Sequence, residues 1–119
     1  FCQVTGVQTC ALPILDVAEL QALASFPIET LHIIGGGSKN NMLNSFTANA
    51  IGLPVQAGPS EATAIGNILL QAMAAGLVKN KEELRRIVRD SSDLELFLPE
   101  DSDQWNRPFQ QYLNVFQEI

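Results

Sequence analysis

Residues 31–52 read LHIIGGGSKNNMLNSFTANAIG and hold a complete strand, turn and helix pattern. The apolar, β-branched run at 31–34 is typical of a buried strand, and three glycines end it. Ser38 and Asn40 are candidate caps for the helix that follows, and Gly52 suits the left-handed position that closes a helix. The apolar residues of that helix recur at the i, i+3, i+4 spacing of a buried face: Met42, Leu43, Phe46, Ala50 and Ile51.

The same pattern follows a second time along the chain. Residues 53–57, LPVQA, predict a short strand, and a Gly-Pro-Ser turn leads into a helix predicted over 61–75. Two consecutive units of this kind predict a parallel α/β layer in which both strands end at the same edge. Because small side chains allow close approach of a neighbouring backbone, we expect the second helix to be buried. Its small residues are Ala62, Ala64, Gly66, Ala72, Ala74 and Ala75.

The flanking segments predict further elements. Residues 15–24 have a helical apolar face, and residues 81–89, KEELRRIVR, form an amphipathic helix with Asn80 as its candidate cap. Residues 94–99 are predicted to be extended, and residues 102–116 to form a last helix. The aromatic residues of that helix are predicted to serve packing: Trp105, Phe109 and Tyr112.

The first fourteen residues, FCQVTGVQTCALPI, differ from the rest of the chain. They carry no charge, contain both cysteines and show neither a helical nor a strand period, so we expect no regular element there. Their back-translation resembles a sequencing-library adapter read in frame. We therefore interpret residues 1–14 as an artefact and residues 15–119 as the native part, one piece of a longer protein. The cysteines then predict neither a disulfide nor a metal site.

Composition restricts the partners of the chain. With 119 residues, 46% of them hydrophobic and 17% charged, it has material for one globular domain. Seven basic against thirteen acidic residues give a net charge of −6. Nucleic acids and anionic membranes select clustered positive charge, so we expect neither as a partner, and no apolar run has the length of a membrane span. Two parallel strands alone leave an unpaired edge, which predicts self-association or partial disorder of the isolated chain.

The glycines at 35–37 are the candidate binding feature. They lie between a strand and a helix, where the carboxyl end of a parallel sheet receives ligands, and they remove the Cβ atoms that would keep a base or phosphate off the main chain. A tight turn without a ligand is the competing interpretation. A phosphate-binding P-loop is excluded because no spaced second glycine precedes Lys39, and the dinucleotide fingerprint fails because its third glycine is replaced by Asn40.

Other polar residues have simpler interpretations. We interpret Glu61 as a charge at a helix N-terminus or a structural hydrogen-bond acceptor rather than a general base. We interpret His32 as a core or near-core histidine with no acidic partner at a fixed spacing. The acidic residues near the C-terminus are interpreted as solvated: Asp90, Asp93, Glu100, Asp101 and Asp103. The sequence thus predicts no catalytic residue and no metal ligand within this chain.

Taken in order, residues 31–76 closely resemble the C-terminal nucleotide-binding half of the FGGY carbohydrate kinases. The paired glycine turns and the string GPSEATAIGN at 58–67 carry this resemblance. The sequence of this string is most similar to that of the family members that act on L-rhamnulose. The resemblance implies an α/β fold of the actin-like, ribonuclease H-like ATPase type, here as a fragment of the C-terminal domain. The resemblance is looser over residues 15–99 as a whole, and the last twenty residues carry little of it.

By the family pattern, Gly36 and Gly37 would lie against the adenine or the adjoining ribose and phosphate, with Ser38 and Asn40 hydrogen-bonding nearby. Residues 61–67 would shape the neighbouring wall, with Ala64 and Gly66 allowing close helix packing. The intact enzyme would use ATP and Mg²⁺ to convert L-rhamnulose to L-rhamnulose 1-phosphate in the cytoplasm.

The resemblance places the family's catalytic aspartate and sugar contacts upstream of residue 15, in missing chain that includes an N-terminal domain. We therefore expect the fragment alone to be inactive. Three alternatives stay open: another family member acting on xylulose, fuculose or glycerol, a non-catalytic actin-like nucleotide-binding module, and a small stand-alone acidic binding protein.

Overall fold

The computed structural model describes residues 6–117, with side chains described from Pro13 to Val115. Two short 3-10 helices, Gly36–Lys39 and Ser102–Trp105, accompany the regular elements. In chain order these elements are α1 (Gly6–Leu23), β1 (Leu31–Ile33), α2 (Asn41–Ile51), β2 (Val55–Ala57), α3 (Ala62–Ala74), α4 (Lys81–Ser91), β3 (Glu95–Phe97) and α5 (Asn106–Gln117).

The three strands of the described chain form one sheet in the order β1-β2-β3. β1 and β2 are parallel, with Leu31 opposite Val55 and Ile33 opposite Ala57. β3 returns antiparallel to β2, so its first residue, Glu95, lies opposite the end of β2. The predicted parallel pair is therefore confirmed, and the antiparallel third strand makes the sheet mixed.

Helix α2 forms as its local signals predict. The Asn40 side chain accepts a hydrogen bond from the Leu43 amide at 3.1 Å, which satisfies one free N–H of the first turn. Gly52 closes the helix in the left-handed conformation with φ 68°. Ser38, the other candidate cap, lies instead in the preceding 3-10 turn.

The later helices also follow their predicted boundaries closely. Asn80 caps α4 by accepting from the Glu83 amide at 2.9 Å. The predicted C-terminal helix begins as a 3-10 turn and continues as α5, where Pro108 is tolerated because it lies in the first turn. The rings of Phe46 and Trp105 meet at 5.7 Å between centroids, which confirms Trp105 as a packing residue that joins this segment to α2.

The expectation of no regular element in residues 1–14 is wrong for the part that the structure describes. Helix α1 begins at Gly6 and runs through Pro13, and residues 1–5 lie outside the described chain. The polar and apolar residues of this helix do not segregate to opposite faces, so the segment shows no clear helical period although it is helical. Helix α1 packs against α2 and α5.

The expectation of a buried second helix is also wrong. No residue of α3 is buried, and Ile68 is 66% exposed. No atom of the described residues lies within 4 Å of a Cβ built on Gly66, so the close packing expected at this glycine is absent from this stretch. Helix α3 stays exposed because its main packing partner among the described elements is α4, and one neighbouring helix covers only part of its surface.

The core of this stretch is small. Among residues with described side chains, the buried apolar ones are Ala48, Val55, Ala57 and Val78. They lie where α2 covers β2 and in the segment after α3. No helix of residues 6–117 combines the length and apolar character that crossing a membrane requires.

Candidate functional site

The glycine corner, defined as residues 35–38, lies at the carboxyl ends of both parallel strands. The Gly58 amide donates to the Ile33 carbonyl at 2.8 Å, and the Gly35 amide donates to the Pro59 carbonyl at 3.1 Å. These two hydrogen bonds hold the turn after β1 beside the turn after β2. The sequence prediction that both turns lie at one edge of the sheet is confirmed.

The main chain of the corner is open to solvent. Gly35 has φ 85°, a conformation that favours glycine, and Gly36 and Gly37 start the 3-10 turn. A Cβ built on Gly36 or Gly37 meets no atom of another described residue, beyond its chain neighbours, within 4 Å. The two residues therefore present bare backbone, which is the property that a flat base or a phosphate needs for direct contact.

Ser38 faces inward and braces the corner. It is 6% exposed, and its hydroxyl donates to the Gly35 carbonyl at 2.7 Å. Its own carbonyl accepts from the Nδ2 group of Asn44 at 2.8 Å. The corner thus rests on a side-chain and backbone network that joins it to α2.

Asn44 is the residue of this network that sequence analysis missed. It is 0% exposed, and its Oδ1 atom has no hydrogen-bond partner among the described residues. The sequence signal that could have identified Asn44 is its position next to Leu43, on the apolar face of α2. A polar amide on such a face becomes buried and then needs a hydrogen-bond partner. An apolar cavity of about 340 Å³ lies beside it, between α1, β1 and α2.

A polar cleft of about 270 Å³ lies beside the corner on the side of β2 and β3. Asp93 and Glu95 reach this cleft because β3 is antiparallel and begins at the edge where β1 and β2 end. Asp93 is exposed, as predicted, and it also belongs to the candidate site. The lining residues are Ser38, Lys39, Asn41, Ala57, Gly58, Ser60, Asp93 and Glu95.

Asn40 and Glu61 stand at the starts of the two helices that flank this edge. Asn40 is exposed and uses Oδ1 for the cap of α2, which leaves its Nδ2 group without a partner among the described residues. Glu61 precedes α3, is exposed and makes no side-chain cap bond. The geometry therefore places Asn40 beside the glycine corner, and among the described residues Glu61 accepts a hydrogen bond through its carbonyl, from the Ile65 amide at 3.0 Å, and makes no cap bond with its side chain.

Gly58 shows how closely the second turn is packed. It has φ 102°, and a Cβ built on it would lie 2.8 Å from the Asp93 carbonyl oxygen and 3.2 Å from Leu94 Cδ2. Only glycine fits this position without movement of the segment before β3. The position of Asp93, which lines the polar cleft, therefore depends on the absence of a side chain at Gly58.

The interpretation of His32 as a core or near-core histidine is wrong for the described chain. His32 is exposed in the middle of β1. It pairs with Gln56 in the register and shares with it an open cavity of about 300 Å³, to which α4 contributes Arg85 and Arg89. The face of the sheet opposite α2 is only partly covered, so a strand residue there stays in contact with solvent.

Comparison with known proteins identifies the class. A family profile described as "FGGY family of carbohydrate kinases, C-terminal domain" matches residues 9–75. The match includes the glycine corner, both parallel strands and α3. The chain belongs to the FGGY family of carbohydrate kinases, and it corresponds to part of the C-terminal domain.

The chain is similar to several rhamnulokinases. The chain is 48% identical over 108 residues to a rhamnulokinase of Bacteroides thetaiotaomicron, covering 90% of this chain and 22% of that protein. It is 48% identical over 90 residues to a rhamnulokinase of Bacillus subtilis, covering 76% and 19%. The chain thus spans about a fifth of the length of these relatives.

A solved structure supports the same fold. The crystal structure of ligand-bound xylulose kinase from Lactobacillus acidophilus aligns with a TM-score of 0.70 at 13% identity, over 93% of this chain and 23% of that one. At this identity the likeness concerns the fold. The mixed α/β arrangement of residues 6–117 is that of a piece of an FGGY kinase.

Proposed function

We propose that this chain is the nucleotide-holding portion of an ATP-dependent kinase that converts L-rhamnulose to L-rhamnulose 1-phosphate. The identity to rhamnulokinases and the string GPSEATAIGN support the choice of sugar. Residues 15–119 would form the C-terminal part of that cytoplasmic enzyme. We keep the interpretation of residues 1–14 as adapter-derived outside this proposal, and the family match begins within them, at residue 9.

The observation that carries the proposal is the open main chain of Gly36 and Gly37 at the carboxyl edge of β1 and β2. Ligands of open α/β sheets bind at this edge. The adenine or the adjoining ribose and phosphate of ATP would lie against these two glycines, because no Cβ stands between the ligand and the backbone. Asn40 would donate from Nδ2, which has no other partner among the described residues.

Ser38 contributes as a positioning residue. Its hydroxyl hydrogen is used within the corner, so it acts by holding Gly35 in place and by anchoring its own carbonyl on Asn44. A corner fixed before the ligand arrives costs less conformational entropy on binding. The network would thus hold three otherwise flexible glycines in one conformation and give the nucleotide a defined surface.

ATP, carried with Mg²⁺, supplies the phosphoryl group that is transferred. Phosphoryl transfer depends mainly on positioning and on stabilising charge on the transferring group. Within this chain the proposed task is to bind and orient the nucleotide. The catalytic base and the sugar contacts are assigned to chain upstream of residue 15, so these 119 residues alone transfer no phosphate.

A fluorescent ATP analogue titrated into the chain tests the nucleotide site. Gly37→Ala places a methyl group where the ligand would lie, and it leaves the fold intact because the space is empty and φ is not positive. We expect about tenfold weaker binding, equivalent to roughly 1.4 kcal/mol. The matched control is Ser25→Thr, which adds a methyl group to an exposed residue before β1, at the opposite end of the strand, and leaves binding unchanged. Equal affinities of the two variants would contradict the proposed site.

The sugar is tested on the full-length protein. A panel of L-rhamnulose, D-xylulose, L-fuculose and glycerol is offered with Mg·ATP, and product is followed as ADP release. We expect the highest kcat/KM for L-rhamnulose. Turnover of another member of the panel with L-rhamnulose left untouched would show that the family assignment is right and the substrate wrong.

A further inference from the structure

The face of the sheet opposite α2 borders an open cavity of about 300 Å³ in which positive charge is concentrated. His32 of β1 and Gln56 of β2, neighbours in the register, line it from the sheet. Arg85 and Arg89 line it from α4, where they lie one helical turn apart on the same side. No aspartate or glutamate of the described chain lines this cavity, although acidic residues outnumber basic ones thirteen to seven in the sequence.

The charged residues of α4 divide between two sides of the helix. Glu82, Glu83 and Arg86 line a different cavity, and the Arg86 guanidinium forms an ion pair with the Glu83 carboxylate at 3.6 Å. Arg85 and Arg89 are exposed, and neither guanidinium has an ion pair or a hydrogen bond among the described residues. Their N–H groups are therefore available to a ligand.

A phosphate group fits this set of donors. A guanidinium group presents parallel N–H donors that match two oxygens of a phosphate or a carboxylate, and its charge is permanent. His32 adds a ring N–H and Gln56 an amide NH₂ group from the sheet. A phosphate monoester offers three terminal oxygens and close to two negative charges, whereas a carboxylate offers two oxygens and one charge. Two guanidinium groups with further donors opposite them therefore favour phosphate.

The remaining side chains of the cavity leave room for an organic part. Ile34, Pro59, Val88 and Leu94 contribute an apolar lining. An apolar surface beside a charge lowers the local dielectric constant and strengthens the attraction between guanidinium and phosphate. The volume of about 300 Å³ lies at the lower end of the range for small-molecule sites, so the cavity suits a small ligand.

This cavity is separate from the polar cleft beside the glycine corner. Successive residues of a strand point to opposite faces of the sheet. Val55 and Ala57 are buried on the side that α2 covers, so Gln56 between them points to the other face. Among their described lining residues, the cleft and the cavity share only Gly58.

We propose that the cavity between β1, β2 and α4 is a phosphate-binding site. Arg85 and Arg89 hold the phosphate oxygens, and His32 and Gln56 donate further hydrogen bonds. The phosphate is either the free ion or the phosphate group of a small monoester. Mg·ATP is not expected there, because Mg²⁺ takes phosphate oxygens that the guanidinium groups would bind. The inference does not depend on nucleotide binding at the glycine corner.

The test is an ¹⁵N–¹H NMR titration of the 119-residue chain with inorganic phosphate. Sodium chloride at matched ionic strength is the reference, because salt alone screens exposed charges. We expect saturable shifts of the His32 and Gln56 amides and of the Nε–H signals of Arg85 and Arg89. A second titration with glucose 1-phosphate distinguishes the two sources of phosphate. Tighter binding of the monoester assigns an organic part to the apolar lining, and equal affinity assigns the site to the phosphate group alone.

Substitutions on α4 separate a defined site from general charge. Arg85→Gln and Arg89→Gln each remove one guanidinium and should weaken phosphate binding about tenfold. Arg86→Gln is the matched control, because it changes the net charge equally on another side of the helix and should leave the affinity unchanged. Arg85→Lys keeps the charge and loses the two-pronged geometry, so its affinity should fall between those of the parent and Arg85→Gln. Circular dichroism checks that each variant keeps its helix content.

Three results would overturn the proposal. One is the absence of saturable shifts at His32 and Gln56 beyond those that sodium chloride produces. Another is equal weakening by Arg85→Gln, Arg89→Gln and Arg86→Gln, which would show attraction to the overall charge of the chain. The third is a phosphate response confined to Gly36 and Gly37, which would place the ion at the glycine corner. Failure of Mg·ATP to bind at that corner would leave the phosphate result unaffected.

Discussion

Replacement of Gly58 by alanine perturbs the joint between the two turns at the site. Gly58 donates its amide to the Ile33 carbonyl and lies against the segment that leads into β3. The added Cβ would lie 2.8 Å from the Asp93 carbonyl oxygen, a backbone atom that moves only if the segment before β3 moves. The change therefore strains the sheet and the cleft wall together.

The expected magnitude follows from two costs. A side chain in a left-handed conformation, here at φ 102°, costs about 1–2 kcal/mol. Overpacking against neighbours that cannot easily shift costs about 1–3 kcal/mol. The sum, about 2–5 kcal/mol, is a large share of the roughly 5–15 kcal/mol that stabilises a typical domain.

Urea unfolding followed by circular dichroism measures this loss. Gly66→Ala serves as the control, because its Cβ meets no atom of the described residues outside its own helix backbone and chain neighbours within 4 Å, and alanine is favoured over glycine in a helix interior by about 1 kcal/mol. We expect the free energy of unfolding to fall for Gly58→Ala and to rise for Gly66→Ala. A Gly58→Ala protein within about 0.5 kcal/mol of the parent would refute the packing argument.

Three further substitutions test the network and the caps by urea unfolding. Asn80→Ala removes the hydrogen bond to the Glu83 amide and should cost about 1 kcal/mol, whereas an unchanged midpoint would contradict the cap. Asn44→Ala leaves the buried Ser38 carbonyl without its donor and should cost about 1–3 kcal/mol. Ser38→Ala should cost about 1 kcal/mol and speed hydrogen exchange at Gly36 and Gly37, since the brace on the Gly35 carbonyl is lost, and unchanged exchange would argue against that brace.

Elements with strong local signals could be predicted from sequence. The run at 31–34, the Asn40 cap and the closing Gly52 specify β1 and α2 through contacts within a few residues, and the structure confirms both. The position of the glycine corner followed as well, because parallel strands must end at the same edge.

The features that sequence analysis missed depend on distant contacts or absent partners. His32 looked like a core residue because its neighbours are apolar, but burial of its face requires a covering layer that residues 6–117 do not provide. The small residues of α3 predicted a buried helix, but burial of α3 also requires a covering layer, and none of its residues is buried. Asp93 joined the cleft only because β3 runs antiparallel, which no local pattern reveals.

The most direct test of the account is an ¹⁵N–¹H NMR titration of the chain with Mg·ATP. If the glycine corner holds the nucleotide, the amide signals of Gly36, Gly37 and Asn40 shift most, and those of α4 and α5 stay in place. Saturable shifts confined to another part of the chain, with the corner signals unchanged, would contradict the account.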